Sequence, residues 1–176
     1  MKPIVVLVLI TLVVSLALAV TYRFTKVEDT GPDMAVINDV GKTVMPDANG
    51  FEMIKEQVGG ASCLFLANNH AGIMVQAEAK GYNGNVPITF LVGFDKKGTI
   101  TGLAVLEQQE TPGLGDRVTE PDFGQQFVGK TGQVELKTGT KNSIDGITGA
   151  TLSSKGVVAG VNEARKAFET VKGVLE

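Results

Sequence analysis

From Pro3 to Tyr22 the chain carries no charged residue, and residues 4–20 are almost entirely Val, Leu, Ile and Ala. A run of about 20 such residues satisfies its own backbone as a helix and reaches across roughly 30 Å of hydrocarbon. It predicts a transmembrane anchor over residues 1–25. Lys2 ahead of the run and the small residues Ala17 and Ala19 also fit a cleavable signal peptide. The length of the run, and Arg23 and Lys26 just beyond it, favour an anchor that is kept. The charge bias across the span is weak, with Lys2 and the amino terminus set against Arg23 and Lys26. The outward placement of the body rests on the short N-terminal flank, which suits a signal-anchor; a signal peptide gives the same placement.

A length of 176 residues suits one domain plus this appendage. Without Lys2 and Arg23, 14 basic residues stand against 19 acidic ones, so the rest of the chain carries −5. An acidic body with no basic cluster is unsuited to nucleic acid. Cys63 is the sole cysteine and His70 the sole histidine, too few for a disulfide within the chain or a zinc site. Cys63 lies in the apolar run CLFLA, where a buried structural thiol is expected. His70 lies in NNHAG, a turn tip. No catalytic residue and no metal site is expected.

Residues 26–34 are polar, contain Gly31-Pro32, and read as a linker to a domain over residues 35–176. Residues 35–42 and 51–58 each read as a short helix, separated by PDANG at 46–50. Residues 63–67 and 73–79 read as strands around the turn at 68–72. Ile88, Phe90, Val92 and Phe94 alternate, DKKG at 95–98 makes a turn, and residues 99–106 return as a strand. Residues 121–127 suggest a helical turn and 134–136 a short strand. A last helix is expected over 154–175, where Val157, Val161, Ala164, Phe168, Val171 and Leu175 form one stripe. The fold class is α+β: one N-terminal transmembrane helix, then one domain with a twisted antiparallel sheet and a long C-terminal helix.

GQQFVGKT at 124–131 matches the phosphate-loop pattern G-x-x-x-x-G-K-[ST] letter for letter. That loop works between a buried strand and a helix. Here Pro121 precedes it, Gly132 and Gly139 follow it, and Phe127 and Val128 are poor liners for a phosphate cradle. The pattern is therefore read as fortuitous.

DGITGAT at 145–151 stands immediately before the last helix. A helix N-terminus has unpaired amide donors and partial positive charge, and so receives anions, phosphate above all. Gly149 and Ala150 leave the approach open, Thr151 places a hydroxyl at the terminus, and Ser153 or Ser154 is available to cap it. The plainer alternative is an ordinary cap, the usual work of Ser and Thr.

The same stretch resembles the flavinylation motif D-x-x-[ST]-G-A-[ST] of the FMN-binding domain family. The resemblance implies that a flavin transferase moves FMN from FAD onto Thr151 as a phosphoester, with Asp145, Thr148, Gly149 and Ala150 completing the transferase's recognition sequence. ETPGLG at 110–115 is similar to a segment of the Rnf G subunit and of the C subunit of the sodium-translocating NADH:quinone reductase. It is a Pro-Gly turn. Glu110 and Thr111 offer hydrogen-bonding groups, Gly113 and Gly115 admit a flat ring, and Leu114 packs on one; a mere tight loop is the alternative. Gly81-Tyr-Asn-Gly84 also looks like the family. Cofactor contacts are thus expected from Glu110, Thr111, Gly113, Leu114, Thr148, Gly149, Ala150, Ser153 and Ser154.

The resemblance implies a covalent FMN carrier in a bacterial or archaeal cytoplasmic membrane complex, with its soluble domain outside. The compact body points to Rnf, which passes electrons between ferredoxin and NAD⁺ coupled to Na⁺ or H⁺ movement. The implied partners are the other subunits, a flavin transferase during maturation, and the bilayer. The quinone reductase, an anchored module that binds a phosphorylated ligand reversibly, and a structural subunit with an empty motif are the alternatives.

Overall fold

The computed structural model describes residues 2–25, 31–136 and 139–175. The chain divides into two compact units, Met1–Gly31 and Pro32–Glu176. The first unit is the helix α1 (Lys2–Thr25). Its span Pro3–Thr25 is long and apolar enough to cross a membrane. Its threonine hydroxyls turn back onto its own carbonyls, Thr11 to Val8, Thr21 to Ala17 and Thr25 to Thr21, at 2.8–2.9 Å. These polar groups are thereby satisfied without a partner from outside the helix. Most of the expected linker, residues 26–30, lies outside the described residues.

The second unit opens with α2 (Met34–Val44), capped by the Asp33 side chain, which accepts from the Ala35 amide at 2.8 Å. Five antiparallel strands follow in sequential order: β1 (Phe51–Ile54), β2 (Cys63–Ala67), β3 (Gly72–Ala79), β4 (Ile88–Asp95) and β5 (Ile100–Glu107). The hairpins fall where the alternation and turn residues put them. His70 sits at the β2–β3 turn with φ 54°. Asp95 Oδ1 accepts from the Lys97 and Thr99 amides at 2.8 Å and so shapes the β4–β5 turn.

Residues 51–58, expected as a helix, instead begin with the edge strand β1, paired from Phe51↔Ala67 to Ile54↔Leu64. Phe51, Ile54 and Val58 have helical spacing, but β2 supplies hydrogen-bond partners and Gly41 of α2 makes room for the Phe51 ring. Tertiary pairing overrides the local pattern.

Both faces of the sheet are covered. On one, α4 (Thr151–Val171) lays Val157, Val161, Ala164 and Phe168 onto Ile73, Phe90 and Phe94. On the other, α2 packs Ile37 and Val44 with Phe65, Met74 and Leu91. Cys63 belongs to this second layer but is half-buried, at the strand's beginning and less enclosed than its apolar neighbours suggest. Phe168 stacks on Phe94 with centroids 5.0 Å apart, and the Arg165 guanidinium lies 5.0 Å from the same Phe94 ring. Arg165 also donates to the Gly98 carbonyl at 2.5 Å, tying the hairpin turn to the helix. Burial lowers its pKa, with Glu169 acting the other way.

Between β5 and α4 run a 3-10 helix (Gly115–Thr119), α3 (Pro121–Gln125), and a small sheet of β6 (Glu135–Leu136) and β7 (Ser143–Ile144), whose parallel pairing no sequence pattern announces. The fortuitous phosphate-loop segment ends α3 and turns along the start of β5. The Ile100 amide donates to the Lys130 carbonyl at 3.0 Å, and the Gly129 amide donates to the Ile100 carbonyl at 2.8 Å. Phe127 is wholly buried, and Lys130 donates to the Lys141 carbonyl. The segment leads into neither a central strand nor a helix.

Phe168→Ala removes the ring at the centre of the α4 contact. Denaturant titration of the detergent-solubilised chain is expected to show a loss of about 3–5 kcal/mol. A loss under about 1 kcal/mol would mean that α4 is not held by this packing.

Candidate functional site

The helix α4 begins at Thr151, three residues earlier than its sequence suggests, and no side chain caps it. The chain enters through Gly149, whose φ of +80° is left-handed and strained for any residue with a Cβ. Ala150 then occupies the cap position. Ser153 and Ser154, expected as caps, are instead fully buried inside the first turn. Ser154 Oγ accepts from the Ile147 amide and donates to the Ala150 carbonyl, each at 3.0 Å. Ser153 Oγ donates to the Glu110 carboxylate. With the serines turned inward, the outward side of this terminus is left to Thr151 and Leu152, both exposed.

A pocket of about 480 Å³ opens there, lined by Tyr82, Glu110, Thr111, Leu114, Gly115, Gly149, Ala150, Thr151, Leu152 and Ser153. Its size falls within the range of small-ligand sites. Around it stand three large side chains unusually open to solvent: Tyr82 at 70%, Leu152 at 56% and Leu114 at 43%. Exposed apolar groups of this size around a concavity mark a surface shaped for contact.

Most of the expected contact residues are brought together here: Glu110, Thr111, Leu114, Gly149, Ala150, Thr151 and Ser153 all line the pocket. Gly113, Thr148 and Ser154 do not. Thr148 is exposed nearby in the approach to α4, and so is Asp145. The Asp145 backbone is clamped by Gln126, which accepts from its amide at 2.7 Å and donates to its carbonyl at 3.4 Å. Tyr82 is a pocket residue that the sequence does not single out. The loop Gly81-Tyr-Asn-Gly84 is recognisable there, but the exposure of its ring depends on the fold.

Glu110 is 5% exposed and already fully engaged. Its carboxylate accepts from the Tyr82 amide at 2.9 Å, from the Asn83 amide at 3.0 Å, and from Ser153 Oγ. Gly81 lies so close that a Cβ there would collide with Glu110 Oε1. The residue thus joins the 81–84 loop, the 110–115 loop and the first turn of α4. Burial by itself would raise its pKa; the hydrogen bonds from Ser153, Asn83 and Tyr82 together outweigh it and hold the carboxyl below its ordinary value.

Fold and site together define a class: an α+β domain whose longest helix presents an uncapped N-terminus and a free hydroxyl to a pocket with an apolar rim. The FMN-binding domain family matches residues 81–166, which include every residue lining the pocket. The chain is 31% identical over 163 residues to the G subunit of the proton-translocating ferredoxin:NAD(+) oxidoreductase complex of Clostridium ljungdahlii, covering 89% of this chain and 84% of that relative. It is 30% identical over 172 residues to the G subunit of the ion-translocating oxidoreductase complex of Methanosarcina acetivorans, covering 93% and 91%. Among solved structures, NqrC of Shewanella oneidensis shares the fold, with a TM-score of 0.54 over 82% of this chain and 77% of that one, at 22% identity. The chain belongs to the FMN-binding domain family, and within it resembles the G subunits of these complexes.

The lowered pKa of Glu110 sets a pH dependence. A carboxyl depressed in the folded state stabilises the fold fully above the ordinary glutamate value of about 4.3, and that stabilisation is lost as pH falls through the lower folded value. The Tyr82 and Asn83 amide resonances are expected to hold steady from neutral pH down through the ordinary range and to shift only below it. A midpoint at or above the ordinary value would contradict the three-donor arrangement.

Proposed function

We propose that this chain carries FMN esterified through its phosphate to Thr151, and serves as an electron-relay subunit of an ion-translocating ferredoxin:NAD⁺ oxidoreductase of the Rnf type. The observation that carries this reading is the position of the Thr151 hydroxyl: exposed, at the uncapped start of a 21-residue helix, on the rim of the pocket.

The residues present fit the group. A phosphoester on Thr151 keeps a negative charge, which the first-turn amides and the helix dipole of α4 stabilise. Gly149 keeps the entry to that turn low, and Leu114, Leu152 and Tyr82 offer apolar surface for a planar ring. When bound, the flavin supplies the electron transfer. The chain's share is to tether it, to bury part of it, and to set its electrostatic surroundings. Exposure of Asp145, Thr148 and Thr151 leaves the recognition sequence open to a flavin transferase.

α1 anchors the body in the cytoplasmic membrane, with residues 35–176 forming the flavin domain on the outer side and residues 26–34 linking the two. There, FMN lost to the medium could not be replaced from inside the cell, so a covalent tether has a clear advantage. The partners are the remaining subunits of the complex. The relatives' names support this assembly and the family match supports FMN; the ester and the sidedness are inferred from the hydroxyl and from α1.

The full chain co-expressed with a flavin transferase is expected to fluoresce on a denaturing gel, with FMN mass on the peptide containing Thr151. Thr151→Val is expected to lose all covalent flavin and keep its fold, since the side chain is exposed. Covalent flavin that survives in Thr151→Val would refute the attachment site. Flavin that dissociates on denaturation would leave a reversible phosphate-ligand site. Lys130→Ala is expected to leave flavin content unchanged; loss of bound nucleotide in that variant would revive the phosphate-loop pattern.

A further inference from the structure

Among the described residues, Glu110 is the only carboxylate in the pocket wall. All three side-chain partners described for it are neutral, a hydroxyl and two amides. The ion pairs among the described residues are Arg117–Glu120, Lys166–Glu163 and Lys172–Glu169, and none includes Glu110. Dipoles stabilise an anion without cancelling its charge, so its field reaches into the adjoining pocket. Screening there is weak once a ligand displaces water between Leu114 and Leu152.

The charge is also fixed in place. Its bonds come from two different segments, residues 82–83 and the first turn of α4, and Gly81 and Gly115 close in on it, with a Cβ at Gly115 coming 2.7 Å from Oε2. Reorientation would break all three bonds. A fixed anion resists any process that makes its surroundings more negative. Flavin reduction adds two electrons and takes one or two protons from solvent. With one proton, the ring ends one unit more negative than it began.

We propose that Glu110 is a potential-setting residue: it holds an unpaired negative charge in the pocket wall and thereby lowers the reduction potential of the flavin bound there. This rests on the FMN reading above.

The test uses the full chain in detergent, loaded by a co-expressed flavin transferase and titrated with dithionite and mediator dyes at mildly alkaline pH. Glu110→Gln is expected to shift the midpoint to more positive potential. The ratio of reduced to oxidised flavin at fixed poise should rise about tenfold, ~30 mV for a two-electron couple. Ser153→Ala removes one bond of the clamp and keeps the charge, and is expected to give no positive shift. An unchanged midpoint in loaded Glu110→Gln, or an equal positive shift in Ser153→Ala, overturns the proposal.

Wild-type chain that takes up no flavin overturns the FMN reading and this proposal together, and is seen before any titration begins. If Glu110→Gln fails to load, the wild type still decides. Coupling is reciprocal, so the Glu110 carboxyl carbon, followed by NMR, must protonate at a higher pH in the reduced protein than in the oxidised one. Equal midpoints overturn the proposal. Lys80, Asp116 and Lys155, the charged residues next in sequence to Gly81, Gly115 and Ser154, are present in both redox states, and the flavin's charge is what differs between them.

Discussion

The burial of one face of α4 against the sheet decides where everything else in the domain falls. Val157, Val161, Ala164 and Phe168 are wholly buried. At Gly160 the helix comes so near that a Cβ would lie 2.9 Å from the Phe90 ring. A helix seated that closely has no freedom to slide or roll. Its N-terminus is therefore delivered to one spot, beside the loops that follow β3 and β5. The dipole of the helix, the hydroxyl of Thr151 and the inward turn of Ser153 all take their positions from packing that is several turns away.

The Glu110 knot is the second level of the same construction. The loops at 81–84 and 110–115 leave their large side chains, Tyr82 and Leu114, exposed and contain Gly81, Gly84, Gly113 and Gly115, so hydrogen bonds rather than buried apolar surface fix their conformation. A single buried carboxylate receives donors from one of these loops and from α4, while belonging to the other. The wall of the pocket is thus rigid at its base and exposed at its rim, an arrangement suited to a ligand that must be held without being sealed off.

Much of this is legible in the sequence, for physical reasons that differ by element. The β2–β3 and β4–β5 hairpins announce themselves because alternation, turn chemistry and pairing are all local. The α4 stripe is equally plain, and DGITGAT falls directly at the start of that helix. What a local reading misses is long-range. Residues 51–58 have helical spacing, and only the presence of β2 makes the first four a strand. Ser153 and Ser154 have the composition of a cap, but Ser154 turns back to Ile147 and Ala150, and Ser153 serves Glu110, 43 residues away and outside any local window. Glu110 is read from its motif as a hydrogen-bonding group, and the partners it bonds, residues 82–83 and Ser153, are brought to it only by the fold. The parallel pair β6–β7 joins residues separated by a stretch without pattern.

The turn at 129–131 has a consequence for how copies of this chain coexist. β5 is an outer strand, and an outer strand offers unpaired amides and carbonyls to any neighbour. The backbone of Lys130 and Gly129 occupies those groups at Ile100, and Thr131 bridges to Thr99. The beginning of the strand is thereby closed to a neighbour's strand, in the manner of a selvedge that keeps a woven edge from catching on the next cloth.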